Sequence, residues 1–376
     1  MFLSTLITIV VFLVILTVLV LIHEAGHFFV AKFFGIKVEE FGFGLPPRAF
    51  GIKRGETIYS INWLPIGGFV KLYGEDEAGS GSVGNKPQNV NKKDIDRAFF
   101  SKPVWKRALV VVAGVVMNLI LAVSIVSFLF SYVGVPMPGG IITVEQVVKD
   151  SPAQTSGIKT GDLIESINGL ALKSTDQLIS TTKNYLGKQM LLKIKTQKGV
   201  EETVAVTPRI NYPKTQGPLG VSISENVKIK KYPWYEAPFA GTREILNQSG
   251  LILVGLGTVV YQLVTTGSVP QDVAGPVGIA QLTGKVVDLG PFAVLSFVSL
   301  LSLNLAIINI LPIPALDGGR LFFILFEGIT RRKVNPTFEG YAHTIGMILL
   351  LLLIGLITLH DLFKLITGQP ILPQIK

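Results

Sequence analysis

Apolar residues in this chain are gathered into long runs, and the polar residues that interrupt those runs are few. The first run, residues 2–31, reads as a membrane-spanning helix, because about twenty apolar residues suffice to cross the hydrocarbon core. A second span is expected over 104–133, and two more over 291–316 and 341–359. Between 136 and 227 the pattern changes to period two, with strands expected at 141–148, 163–167, 190–196 and 203–206, as in a soluble insert. Residues 36–73 hold three short strand patterns, 38–43, 57–63 and 69–73, divided by Gly/Pro turn signals, and read as a small hairpin sheet. Residues 74–93 are polar and Gly/Ser-rich, the composition of a mobile loop. The stretch 236–267 has a short apolar core, 251–264, interrupted by Gly255 and Gly257 and approached by Arg243, Glu244 and Gln248. That pattern predicts an amphipathic helix at the membrane interface. With the connection after it, it makes up 228–290, between a membrane core at 1–135 and another at 291–376. The fold class is a multi-span α-helical membrane protein with an inserted extracytoplasmic α+β domain and a small cytoplasmic-side, membrane-associated β-hairpin sheet.

Charge orients these spans. Of 376 residues 49% are hydrophobic, and the net charge is +9. The basic residues fall in loops beside apolar runs, so positive-inside topology and anionic lipid account for the excess, and a nucleic-acid partner is not expected. Lys37, Arg48, Lys53, Arg54, Lys71 and Arg97 put residues 32–103 inside, with the N-terminus and the 136–227 insert outside. The chain is then a multi-pass protein of the inner or plasma membrane. The first run lacks a basic leader and a small-residue cleavage site, so it is expected to be retained.

The interruption in the first run is His23-Glu24-Ala25-Gly26-His27. Positions i and i+4 of a helix lie one above the other, so both imidazoles reach one Zn²⁺, with Glu24 placed to act on water. A Glu between two His in lipid costs several kcal/mol unless something compensates, and a metal does. The chain has no cysteine, so further ligands must be His, Asp or Glu. The candidates are Asp317, His343, Glu327 and His360. His360 lies about 25 Å along a helix from His343, the wrong depth. Asp317 follows Pro312 and Pro314, which break a helix at the membrane edge, and a carboxylate there has no cheaper explanation; His343 stays the competitor. Asn118, inside the second span, reads more simply as helix–helix glue.

Residues 151–169 resemble the bacterial PDZ pattern SPAxxAGLxxGDxIxxING, with Ser156 for the usual Ala. Such domains bind extended peptides by strand addition, and the peptide loop is expected at Gly217, Leu219, Gly220 and Val221. The motifs together resemble the site-2 protease family of intramembrane zinc metalloproteases, in its single-PDZ, RasP-like branch. The HEAGH run matches the family's HExxH, and Asn309-x-x-Pro-x-Pro-x-Leu-Asp-Gly318 its NxxPxPxLDG. Residues 64–71 and 275–280 also match family segments, whereas Val115 stands where the family often has Pro. The resemblance implies one Zn²⁺ per chain on His23, His27 and Asp317, with Glu24 catalytic and Asn304, Asn309, Gly67 and Gly68 contacting substrate. It also implies single-pass membrane substrates already cut by another protease, such as anti-sigma factors or signal-peptide remnants. Two other readings are a PDZ-bearing scaffold with structural zinc and a membrane-anchored peptidase for soluble peptides.

Overall fold

The computed structural model describes residues 2–75, 92–213, 216–267 and 275–367. The chain forms two compact units, residues 130–233 and the remainder.

The larger unit is built on helices. They are α1 (Phe2–Phe33), α2 (Val104–Tyr132), α5 (Ala237–Thr266), α6 (Pro276–Asp288), α7 (Pro291–Ile310), α8 (Asp317–Thr330) and α9 (Pro336–Ile366). Among the described residues, α1, α2, α5, α7 and α9 are long and apolar enough to cross a membrane. This is a multi-pass membrane protein. Two ties hold α7 to α2: Ser302 Oγ donates to Asn118 O at 2.8 Å and Ser299 Oγ to Ala122 O at 3.1 Å. Gly26 lets α1 and α2 approach closely, since a Cβ there would collide with the Ala113 carbonyl. Asp361 of α9 accepts hydrogen bonds from Gly275 and Gly278 at the start of α6, both at 3.0 Å.

Residues 36–73 hold two long strands rather than three short ones, β1 (Val38–Arg54) and β2 (Thr57–Leu72). Of the expected turn signals, the one at 53–56 is the turn between them, with Gly55 at positive φ, whereas those at 44–47 and 64–68 lie inside the strands as bends, with Gly44 and Gly67 at positive φ and ladder bonding on either side. Glu40 to Phe43 pair with Ile58 to Ile61 on one side and with Gly68 to Lys71 on the other, while Arg48 to Arg54 pair back onto Thr57 to Asn62. The result is a folded layer whose edge, Gly68 to Leu72, lies against α1. Beneath it Ala31, Ile36, Val38, Leu72, Phe99, Val110 and Val111 form a buried core. Most of the polar stretch 74–93 lies outside the described residues.

The smaller unit is a sheet in the order β7-β6-β4-β3-β8, with β5 on β4. Its strands are β3 (Val135–Val147), β4 (Leu163–Ile167), β5 (Leu170–Ala171), β6 (Met190–Lys195), β7 (Glu201–Val206) and β8 (Val221–Lys230), with helices α3 (Pro152–Thr155) and α4 (Thr175–Asn184). Ile142 with Val144 and Leu192 with Ile194 alternate into its core, as period two requires, while Ile164 and Ile167, three positions apart, both reach it across a register shift in β4. The expected strands omit β8, although Val221, Ile223, Val227 and Ile229 alternate with polar residues; the pattern is interrupted only at Glu225. The 217–221 loop is a tight turn: Gly220 has φ +73° and donates to Gly217 O at 3.0 Å, while Leu219 is buried and its carbonyl accepts from Ala153.

Candidate metal centre

His23 and His27 stand one turn apart on α1, their Nε2 atoms 3.3 Å from each other. Asp317 reaches them from the start of α8. Helix α7 stops at Ile310, residues 311–316 turn without helical bonding, and Gly318 and Gly319 pack against the carbonyls of Leu311 and Ile313, where a Cβ would not fit. The turn delivers Asp317 Oδ2 to 2.9 Å from His23 Nε2 and 3.3 Å from His27 Nε2.

These three atoms fit a zinc ion. Bonds of 2.0–2.1 Å in a tetrahedron separate ligand atoms by about 3.3 Å, close to the spacings seen. Asp317 Oδ2 is buried yet has no hydrogen bond of acceptable geometry, as expected for an oxygen aimed at a shared centre. The second ring nitrogens are also engaged. His27 Nδ1 lies 2.8 Å from Val110 O, so it carries the proton and leaves Nε2 free to ligate. His23 Nδ1 lies 3.2 Å from the Asn118 amide. With that amide turned so that Oδ1 faces the ring, Nδ1–H donates to it, and an otherwise unpartnered buried Oδ1 is satisfied.

The other ligand candidates are occupied elsewhere. Glu327 pairs with Arg107 at 2.7 Å, and His343 Nδ1 accepts from Ala315 N at 2.9 Å. His360 is on α9 beyond His343 and is not in the cluster. Asn309 is at the site, its Nδ2 3.4 Å from His23 Nε2, whereas Asn304 donates to Leu300 O on its own helix. Gly68 backs onto Glu24: a Cβ there would sit 3.4 Å from Glu24 Cγ and 3.3 Å from Val20. A cavity of about 180 Å³ joins Glu24, His27, Asp317, Phe69, Glu75 and Arg320. A second, of about 160 Å³ and lined by Arg107, Glu327, Lys333 and Glu339, shares Phe99 and Arg320 with it. Arg320 ion-pairs with Glu75 and lies over the Phe99 ring at 5.5 Å.

Gly114 went unmarked in the sequence, and Asn118, read there as helix–helix glue, ties α2 to α7 and also meets His23. They are one turn apart on α2 and face the histidines; a Cβ on Gly114 would collide with His27 Nε2. Their i, i+4 spacing opposite the HEAGH turn was the only signal. Gly114→Ala is expected to lower bound zinc to a small fraction of wild type. Asn118→Ala should weaken zinc by about 10–100-fold, as loss of a ligand's hydrogen-bond partner does. Chelator competition checks both, and wild-type affinity in either would mean that α2 does not shape the site.

The comparisons agree with this chemistry. The model of peptidase family M50 matches residues 11–353. The zinc metalloprotease RasP of Shouchella clausii is 32% identical, over 95% of this chain and 99% of its own. The regulator of sigma-W protease RasP of Bacillus subtilis is 31% identical over the same shares, 95% and 99%. Among solved structures, the PDZ domain of an SdrC-like protein from Listeria innocua is 29% identical over 23% of this chain and 93% of that one, with a TM-score of 0.19. On a match that spans nearly its whole length, the chain belongs to peptidase family M50, the site-2 protease family, and is a zinc metalloprotease.

Proposed function

We propose that this protein hydrolyses a peptide bond in or near the transmembrane segment of single-pass membrane proteins, using one Zn²⁺ held by His23, His27 and Asp317. The observation that carries this reading is the convergence of three ligand atoms within a bundle of apolar helices, beside a strand edge. Zinc supplies polarisation of the scissile carbonyl and acidifies the attacking water. The Glu24 carboxylate, lining the cavity, takes a proton from that water and returns it to the leaving nitrogen. A helical substrate hides its carbonyls in intrahelical bonds, so it must be held extended. The Gly68 edge offers backbone pairing next to Glu24, and Gly67, at φ +81°, lets the strand bend there. Asn309 would orient the substrate carbonyl, with Asn304 meeting the chain further along. Water would come through the polar cavity that adjoins Arg320.

We place the N-terminus and the PDZ unit outside and the site near the cytoplasmic face, on the loop charges given above. Helix α5 bears on this, because a single crossing by it would reverse α7. Its Gly241 packs on Ser127, about 14 Å outward of Asn118 along α2. The next described residue after it, Gly275, is held by Asp361, about 27 Å outward of His343 along α9. From Gly241 to Gly267 the helix is about 39 Å long. The eight steps from Gly267 to Gly275 reach at most about 29 Å, too short to return from the inner side. This supports an interfacial α5 and an outside-to-inside α7.

A relative's name, as well as the geometry, supports this substrate class. The Bacillus subtilis protein is named as a regulator of sigma-W protease, which favours an anti-sigma factor, with signal-peptide remnants as a second class. The PDZ unit, through its β8 edge and the 217–221 loop, would select substrates already trimmed by another protease. The test compares a single-span substrate with a soluble peptide of the same cleavage sequence, both in detergent. Cleavage inside the span, located by mass spectrometry and at least tenfold faster, is expected. Equal or faster cleavage of the soluble peptide would overturn the reading.

A further inference from the structure

The position of Asp317 depends on the turn before it, and that turn contains a strained residue. Ala315 has φ +83°, a conformation that glycine adopts freely and a Cβ disfavours. Nothing in residues 311–316 explains why an alanine stays there. The explanation comes from α9, 28 positions on: the Ala315 N–H donates to His343 Nδ1 at 2.9 Å, and His343 is only 4% exposed. Because Nδ1 accepts this bond, the ring proton must sit on Nε2. One turn along α9, Gly346 lets the helix close on the same turn, since a Cβ there would lie 2.5 Å from Pro314 O. On the other side the Phe323 ring of α8 lies 5.8 Å from the imidazole. Helix α9 therefore grips both Pro314 and Ala315, and Asp317 is two residues further.

We propose that His343 is a positioning residue: its Nδ1 holds Ala315 in the left-handed conformation and so aims Asp317 at His23 and His27. The inference rests on Asp317 as the third zinc ligand. A histidine that merely fills space would tolerate a polar residue of similar size, and one that ligates zinc through Nε2 would not have its Nδ1 accepting from a backbone N–H, which puts the ring proton on Nε2.

The test uses the full chain in detergent, measuring zinc affinity by chelator competition and the visible spectrum of the Co²⁺-substituted protein. In His343→Asn the side-chain Oδ1 stands where Nδ1 stood, so affinity and spectrum should stay within about threefold of wild type. In His343→Gln the acceptor is displaced by one bond, and zinc should weaken by roughly tenfold or more, with an altered cobalt spectrum. Adding Ala315→Gly to His343→Gln should restore most of the loss, because glycine holds positive φ without the histidine. Wild-type zinc affinity and spectrum in His343→Gln would overturn the proposal, as would failure of Ala315→Gly to restore them. If His343→Gln does not accumulate as folded protein, the double variant decides: folding with zinc bound supports the proposal, and failure to fold rejects it. Asp317→Ala separates the two readings. Zinc retained there sinks the ligand assignment itself, whereas zinc lost there but unaffected in His343→Gln sinks only the positioning role.

Discussion

Glu24→Gln should keep its zinc and lose its activity. The substitution is isosteric, and Glu24 contributes none of the three converging ligand atoms, which belong to His23, His27 and Asp317. What it removes is a carboxylate able to take a proton from water and pass it to the leaving amine. Positioned general acid–base groups contribute about 10²–10⁴-fold, and a loss of that size is expected in kcat, with zinc content at the wild-type level. Cleavage of a single-span substrate, followed by gel and mass spectrometry beside elemental zinc analysis, makes the measurement. The accumulated intact substrate would also identify the physiological target when the variant is expressed in cells. A scaffold with structural zinc predicts that Glu24→Gln changes nothing, and full cleavage by this variant would remove Glu24 from the mechanism. Zinc loss on this substitution would mean instead that Glu24 belongs to the ligand set.

How much of this was legible in the sequence depended on how locally each feature is encoded. His23 and His27 could be read because their meeting is a property of one helix, at one turn's spacing. Asp317 could be read because two prolines mark a break that lipid does not tolerate without cause. Asn118 and Gly114 could not, for their partners lie some 90 positions away. A membrane Asn one turn from a glycine looks the same whether it packs a helix or holds a ligand. His343 was visible as an ionisable group at a suitable depth, but its partner is a backbone amide whose strained φ no composition reveals. The hairpin layer shows the opposite failure. Gly55 does turn the chain between its two strands, but the Gly and Pro residues at 44–47 and 64–68 looked like turns as well, whereas the ladder bonds of β1 and β2 carry the strands through them. Local turn chemistry there sets bends, and long-range pairing decides what continues.

Asp317→Ala is expected to have the largest effect on the metal. It leaves two buried imidazoles, with Nε2 atoms 3.3 Å apart, and among the described residues no other His, Asp or Glu joins their cluster, Glu327 being held by Arg107 and His343 by Ala315. Losing a hydrogen-bond partner of a ligand costs about 10–100-fold in zinc affinity, so losing the ligand itself should cost more than about 100-fold. Zinc should then be absent after dialysis at concentrations that saturate the wild type, and cleavage should fall with it. Glu327→Gln tests the same arrangement from the other side and should retain its zinc. If His343→Ala lost the metal while Asp317→Ala kept it, the ligand assignment would have to move to His343. Excess zinc adds a further discrimination. If the carboxylate only raises affinity, saturating zinc restores turnover in Asp317→Ala. If its charge also sets how strongly the ion acidifies water, the variant stays impaired when fully loaded. The second result is expected, because Asp317 is the one carboxylate in the cluster found among the described residues, and its removal would leave the proposed ion with two neutral ligands.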